Sequence, residues 1–362
     1  MAVETHPRGR GERPGRRAAT GEDGRRLLPA GHALVIALAA LLLGALLNAS
    51  GIHKSAYNQP DGWKRDVALA VTGGLADVSH ALLLDRPRLL LKHALGRGDD
   101  DEIDTEIALP PATRVAGEST AQPPQAAPPS VKPAFTPTRK LRLWIAGDSL
   151  VITPGESIVR AAGASRVIET VGGVDGRVAT GLERPDVFNW FKHIAAQMRK
   201  LKPAAVVVGF GANDDHAYMT GLPKGVQVSS FGGAAWTQEY RRRVAGVMDT
   251  VGRAGGFLVW IGLPLTRDVE QTRRFDTINA VVQSEARKRE GTVAFVDTYT
   301  MFADDGGGFA EYLPDDSGRL VRMRRDDGVH FERAGGDLIA REVLRRLNEV
   351  YDLTSWRQQQ AP

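Results

Sequence analysis

The sequence predicts an α/β domain, a five-stranded parallel sheet covered by helices on both faces, carried behind an N-terminal membrane anchor. Three observations predict it. From about residue 139, short β-branched runs alternate with amphipathic helical stretches. The runs are apolar on both faces, as strands buried between two helical layers are. Residues 29–51 contain no charged side chain.

The 362 residues leave room for one sizeable core plus extras. An apolar fraction of 42% with 25% charged residues is an ordinary globular balance. Lys+Arg 47 against Asp+Glu 43 leaves a net charge of +4, too mild a surplus to point to nucleic acid. The chain has no cysteine, which excludes disulfides, thiolate nucleophiles and thiolate zinc sites.

Residues 1–28 are rich in Arg, Gly and Pro without apolar period and read as a disordered basic arm. Residues 29–51 read as a transmembrane anchor, because Ala33 to Leu47 is apolar on every face. At ~1.5 Å per residue such a helix crosses a hydrocarbon core of ~30 Å. The arginines before it (Arg8, Arg10, Arg13, Arg16, Arg17, Arg25, Arg26) place the N-terminus in the cytoplasm. The expected location is therefore the inner membrane, single-pass, with everything after the anchor on the periplasmic side. A cleaved signal peptide is the competing reading, but Leu47-Asn48-Ala49 matches the small-residue cleavage pattern poorly. Uniform apolarity argues against a buried soluble helix.

Residues 52–96 read as a membrane-proximal helical segment. Val67, Leu69, Leu75, Leu82 to Leu84 and Leu89 to Leu91 are interleaved with Lys64, Arg65, Arg86, Arg88 and Lys92. Such helices lie on a membrane surface or meet an integral-membrane partner; a small helical subdomain packed on the main core is the plainer alternative. Residues 97–138 are an acidic, then Pro/Ala-rich linker. The domain proper is expected over 139–350, followed by a tail over 351–362. Strands are expected at 141–146, 166–170, 204–210, 257–262 and 293–297. Helices are expected near 155–163, 187–200, 236–253, 269–289 and 333–349.

Three loops carry the polar residues that chemistry needs. Gly147-Asp148-Ser149-Leu150 ends the first strand, Gly211-Ala212-Asn213-Asp214 follows the third, and Asp327-Gly328-Val329-His330 precedes the last helix. In parallel α/β sheets ligands bind at the carboxyl ends of strands. Ser149 there is either a nucleophile or the cap of the next helix. As nucleophile it needs a base, and His330 supplies one. Asp327, three positions earlier on the same turn, orients the imidazole. The oxyanion of an acyl-transfer intermediate needs donors. Candidates are the Ser149 N–H, a glycine N–H in the second strand–helix loop and the side-chain amide of Asn213.

In this order the blocks resemble those of the SGNH (GDSL-type) hydrolase superfamily. Thr180-Gly181-Leu182-Glu183-Arg184-Pro185-Asp186 and Trp260-Ile261-Gly262-Leu263-Pro264 look like the bacterial, exported subgroup known as DUF459. The resemblance covers about 139–350. It implies a flavodoxin-like three-layer α/β/α sandwich, ester hydrolysis or acyl transfer (often of acetyl groups on carbohydrate), and no metal or other cofactor. By the same resemblance Ser149, Asp327 and His330 are catalytic, and Gly181 and Asn213 form the oxyanion hole. Gly172 and Gly173 are rivals for the glycine.

Other polar and aromatic residues have plainer readings. Asp148 reads as structural, Asp214 and Asp215 as loop-fixing or exposed, and His216 as cleft-lining or solvated. His193 reads as a surface residue. Trp144, Trp190 and Trp260 read as core, whereas Trp236 and Tyr218 either stack on a sugar or pack their own loop. Gly306-Gly307-Gly308 and its acidic neighbours read as a lid-like loop.

The expected function is a membrane-anchored extracytoplasmic serine esterase or O-acyltransferase. Its expected substrate is acylated carbohydrate of the cell envelope, or another ester. Two alternatives remain at this stage. Asp148, Asp214, Asp215, His216, Asp327 and His330 are the residue types of a metal-dependent phosphoesterase, and a non-catalytic scaffold that binds envelope glycan or a partner is the other.

Overall fold

A computed structural model describes residues 29–59, 62–95, 97–111, 132–315 and 317–355. The basic arm expected over 1–28, most of the linker and the end of the tail lie outside the described residues. The chain divides into two compact units, one up to Asp101 and one from Glu102 onward.

The first unit is helical: α1 (Ala30–Leu47), α2 (Ala49–Tyr57), α3 (Trp63–Ala81) and α4 (Arg86–Ala94). None of the side chains of α1 is buried, and α1 is long and apolar enough to cross a membrane.

The second unit is the expected sandwich. Its strands are β1 (Leu141–Gly147), β2 (Ile168–Gly176), β3 (Ala205–Gly209), β4 (Phe257–Ile261) and β5 (Val293–Val296). All pair in parallel in the order β2-β1-β3-β4-β5. One helical layer holds α5 (Ile152–Ser165) against α10 (Arg333–Val350). The other sets α6 (Trp190–Leu201), α7 (Ala234–Arg253) and α8 (Val269–Arg287) side by side. A short α9 (Thr298–Met301) and a hairpin of β6 (Tyr312–Pro314) and β7 (Leu320–Arg322) complete it. Every residue of β3 and β4 is buried, which is why those runs lack alternation. Trp144, Trp190 and Trp260 are fully buried in the same core.

Three features differ from expectation. β2 runs on to Gly176 because a register shift opposite Leu143 to Ile145 absorbs Gly172 and Gly173, at φ +74° and +68°. The loop at 304–308 is a closed turn: Asp304 accepts the N–H groups of Gly306 and Gly308, and Ala303 bridges to Phe309. Within the stretch read as linker, 102–111 lies on the second unit, with Ile107 and Leu109 packed on its core and Lys192 bound to Asp104 and Glu106. At the other end of that stretch, the Phe135 N–H donates to the Asp352 carbonyl and the Asp352 N–H to the Pro133 carbonyl, which bridges Ala134 to Asp352.

The chain runs from β1 outward to β2 and then returns to the other side of β1 as β3. The switch point of the sheet therefore lies between the carboxyl ends of β1 and β3, where crevices form in such folds. Gly147 and Gly209 face each other there. Gly147 sits at φ +152°, and a Cβ on it would lie 2.1 Å from the Gly209 carbonyl oxygen. Only glycine lets the two strand ends close this tightly.

Candidate active site

Ser149 follows the end of β1 and opens a single 3-10 turn, Ser149–Val151. The cap of that turn is Asp148, whose carboxylate accepts the Leu150 N–H at 2.8 Å. Its second oxygen accepts the Ala212 N–H at 3.0 Å, which ties the first loop to the third-strand loop. The capping role is thus already filled, and the Ser149 hydroxyl is free for another partner. Asp148 is fully buried, and burial, opposed by these N–H donors, pushes its carboxyl up to about 7.

That partner is His330, with Nε2 2.8 Å from Ser149 Oγ. On the other side of the ring, Nδ1 is 2.8 Å from Asp327 Oδ2. A carboxylate only accepts, so Nδ1 carries the proton, Nε2 is the acceptor and the serine hydroxyl donates to it. Asp327 Oδ1 accepts the N–H groups of Val329 and His330 at 2.8 and 2.9 Å. Partial burial raises the Asp327 carboxyl, but these backbone donors and the imidazole outweigh it and hold it at about 2. Asp327 is therefore ionised at every ordinary pH. Gly328, at φ +69°, makes the turn, and a Cβ there would meet Arg267 Cβ at 2.6 Å.

The turn is held from below by Arg324, which the sequence reading did not single out. Its guanidinium is fully buried. It donates to the carbonyls of Leu265, Gly328 and Val329 at 2.6, 3.3 and 2.5 Å. The rings of Phe302, Phe309 and Phe331 surround it, with centroids 4.9–5.8 Å away. Burial lowers its pKa to about 10, so it stays a cation.

Asn213 lies half-buried beside this pair of loops and gives one amide hydrogen to the Thr180 carbonyl at 2.9 Å. Thr180 C=O and Gly181 N–H belong to one trans peptide, so that N–H points away from the Asn213 amide. The Asp214 carboxylate lies where a Cβ on Gly181 would be, 2.0 Å from that position. The rivals Gly172 and Gly173 lie in the bulged body of β2, short of its carboxyl end. The Ser149 N–H has no acceptor among the described residues. The Asn213 amide retains a second N–H beyond the one that holds Thr180.

Asp214 is buried and fixes the loop after β2 by accepting the N–H groups of Leu182 and Glu183 and the Tyr240 hydroxyl, each at 2.9 Å. Buried Arg243 takes the carbonyls of the same two residues at 2.7 and 2.9 Å. Burial, followed by the charge of Asp214, pushes the Glu183 carboxyl up to about 10, so it is protonated at neutral pH.

Several side chains differ from their expected places. Trp236 is fully buried, stacked on Tyr240 with centroids 4.7 Å apart, and donates to Glu183; no sugar reaches it. Tyr218 remains half-exposed under the Arg184 guanidinium. His193 is buried, not on the surface: the inward face of α6 sets it against Asp175 at 2.6 Å among Trp144, Phe188 and Trp190. Asp215 pairs with Arg274 and His216. Among the described residues no three His, Asp or Glu side chains converge as a metal site. The six acidic and histidine residues considered for one are split between backbone N–H acceptors, the Asp215 pair and the serine–histidine contact.

Some solved structures are similar to the chain at a low level. A GDSL-like lipase from Bacteroides thetaiotaomicron VPI-5482 is 14% identical over 59% of this chain and 90% of its own, with a TM-score of 0.40. A catalytic mutant of an acetylxylan esterase from Geobacillus stearothermophilus is 16% identical over 59% and 95%, with a TM-score of 0.39. No curated protein matches the chain. The family described as "Protein of unknown function (DUF459)" matches residues 142–346, the stretch that runs from β1 into α10 and contains all three loops, and the chain belongs to that family.

Proposed function

We propose that this protein is a serine hydrolase that cleaves or transfers ester-linked acyl groups, with Ser149 as nucleophile, His330 as base and Asp327 as orienting carboxylate. The observation that carries the reading is the connected path from Ser149 Oγ through both ring nitrogens of His330 to Asp327, with 2.8 Å at each contact. Ser149 Oγ attacks the ester carbonyl while its proton passes to His330 Nε2. The tetrahedral oxyanion is met by the Ser149 N–H and the second N–H of Asn213. His330 returns the proton to the departing alcohol, which leaves an acyl group on Ser149. Water, or a sugar hydroxyl in the transferase variant, then takes the acyl group by the same steps in reverse order. Gly181 serves this site by letting Asp214 approach and so fixing the peptide that Asn213 binds.

The substrate we propose is an O-acetylated carbohydrate of the cell envelope. The support is the position of the domain behind α1, read as an uncleaved span with the arginine-rich start in the cytoplasm. The test is hydrolysis of 4-nitrophenyl acetate by the full chain in detergent, with and without a chelator. Turnover that survives chelation and vanishes in Ser149→Ala supports the reading. Turnover that needs a divalent ion and survives Ser149→Ala removes it.

A further inference from the structure

The first unit carries an amphipathic helix turned inside out. In α4 the exposed stripe is apolar: Pro87, Leu90, Leu91, Ala94 and, just past the helix, Leu95, a spacing of i, i+3, i+4, i+7 and i+8. Leu90, Leu91 and Leu95 are 70%, 62% and 66% exposed. Arg88 and Lys92 face inward, where both bind Asp101, whereas Arg86 and His93 are exposed beside the stripe. Leu82 and Leu83, in the elbow before α4, are exposed as well.

The register of the unit shows what this stripe lies level with. Arg65 donates to the Tyr57 carbonyl, Thr72 meets His53 and Ser79 donates to the Leu46 carbonyl at 2.6 Å. The partners fall as α3 advances, so α3 runs back antiparallel to α2 and reaches the last turn of α1. Leu82 and Leu83 lie three and four residues further on, about 5 Å back along α1 at ~1.5 Å per residue. That is the level of Leu42 and Leu43, whose side chains are also exposed. The chain then turns by 88° into α4. Along α3 the outward face mixes Val67, Val71 and Val78 with Lys64, Asp66, Asp77 and His80, so the apolar patch is confined to Leu82, Leu83 and the α4 stripe.

We infer that the elbow and α4 lie in the headgroup–acyl boundary of the bilayer that α1 crosses, with Leu90, Leu91 and Leu95 directed into the acyl chains. This rests on α1 being a membrane span. A lipid surface fits because the stripe continues the apolar surface of α1 at the same level, and because exposed Arg86 and Arg97 flank its two ends, where phosphate headgroups lie. The depth expected of such a helix is about 5–10 Å.

The chain has no native cysteine, so single labels report without background. Full-length Leu91→Cys, Val35→Cys and Lys64→Cys, each carrying an environment-sensitive fluorophore, are reconstituted in phosphatidylcholine–phosphatidylglycerol vesicles. Quenching by acyl-chain doxyl lipid is compared with quenching by aqueous iodide. The inference predicts at least twofold stronger lipid quenching at residue 91 than at residue 64, with little iodide quenching at 91. Iodide quenching at 91 without lipid quenching overturns it. Shielding of 91 from both quenchers also overturns it and assigns the stripe to a protein partner or a second copy. The residue 35 label reads the span separately: lipid quenching at 35 without it at 91 leaves the anchor standing and removes only the α4 contact. No lipid quenching at 35 removes both.

Discussion

Asp148 and Ala212 are joined by a 3.0 Å hydrogen bond from the Ala212 N–H to a buried carboxylate. The loop that presents Ser149 and the loop that presents Asn213 are therefore one unit. The proposed nucleophile and the proposed side-chain oxyanion donor share a single brace. Asp148→Ala leaves the N–H groups of Leu150 and Ala212 without an acceptor, each at a cost of about 1–3 kcal/mol. Urea unfolding is expected to show a loss of roughly 2–6 kcal/mol. Asp148→Asn keeps one acceptor and is expected to fall between, with kcat on an activated ester reduced more than KM is changed.

Asp327 sets the tautomer of His330, so Asp327→Asn is expected to keep the fold and lower kcat on the order of 10³–10⁴-fold. Because the Asp327 carboxyl is held at about 2, its own titration lies below the working range. The acid limb of the rate profile therefore does not come from Asp327. Its contribution to stability is present above the ordinary aspartate value and is lost as pH falls from about 4 towards 2. Circular dichroism at graded acid pH, wild type against Asp327→Asn, checks this.

Glu183 has the opposite sign. Its folded pKa, about 10, lies far above its unfolded value of 4.5. The folded state binds the proton more tightly, so the stabilisation is complete below about pH 4.5 and drains away as pH rises towards 10. Glu183→Gln mimics the protonated form. Melting temperatures of variant and wild type are expected to be similar near pH 5, with the variant higher at pH 9. Equal melting curves at pH 9 contradict the protonated assignment.

Arg324 holds the turn of Asp327 and His330 through carbonyls, not through a carboxylate. Arg324→Met removes the donors from Leu265, Gly328 and Val329 and is expected to destabilise the domain by about 1–3 kcal/mol for each carbonyl left dry. Arg324→Lys keeps the charge but cannot span three carbonyls, so kcat is expected to drop with it while KM moves little. Denaturant curves together with steady-state kinetics separate the two effects.

Much of this was legible in the residues. The five strands read correctly because β-branched runs such as Val206-Val207-Val208 have no competing helical period. The extension of β2 to Gly176 was hidden because Gly172 and Gly173 look like a turn, and only pairing with β1 turns them into a bulge. Ser149 and His330, which the structure brings within 2.8 Å, stand out in sequence by their loops, since loops at strand ends display their polar residues locally. Arg324 and Arg243 were missed because a buried cation looks the same in sequence as a solvated one. His193 was misplaced for a related reason: its burial depends on Asp175, 18 residues away in the chain. The close approach of Asp214 to Gly181 was hidden as well, since it joins loops 33 residues apart in the chain.

Ser149 is proposed as an activated nucleophile. Intact-protein and peptide mass spectrometry of the detergent-solubilised full chain, after exposure to a fluorophosphonate, reads this directly. The account predicts one adduct per chain on Ser149, absent from Ser149→Ala and slowed at least a hundredfold in His330→Ala. A folded wild-type protein that takes no label, or takes it on another residue, contradicts it.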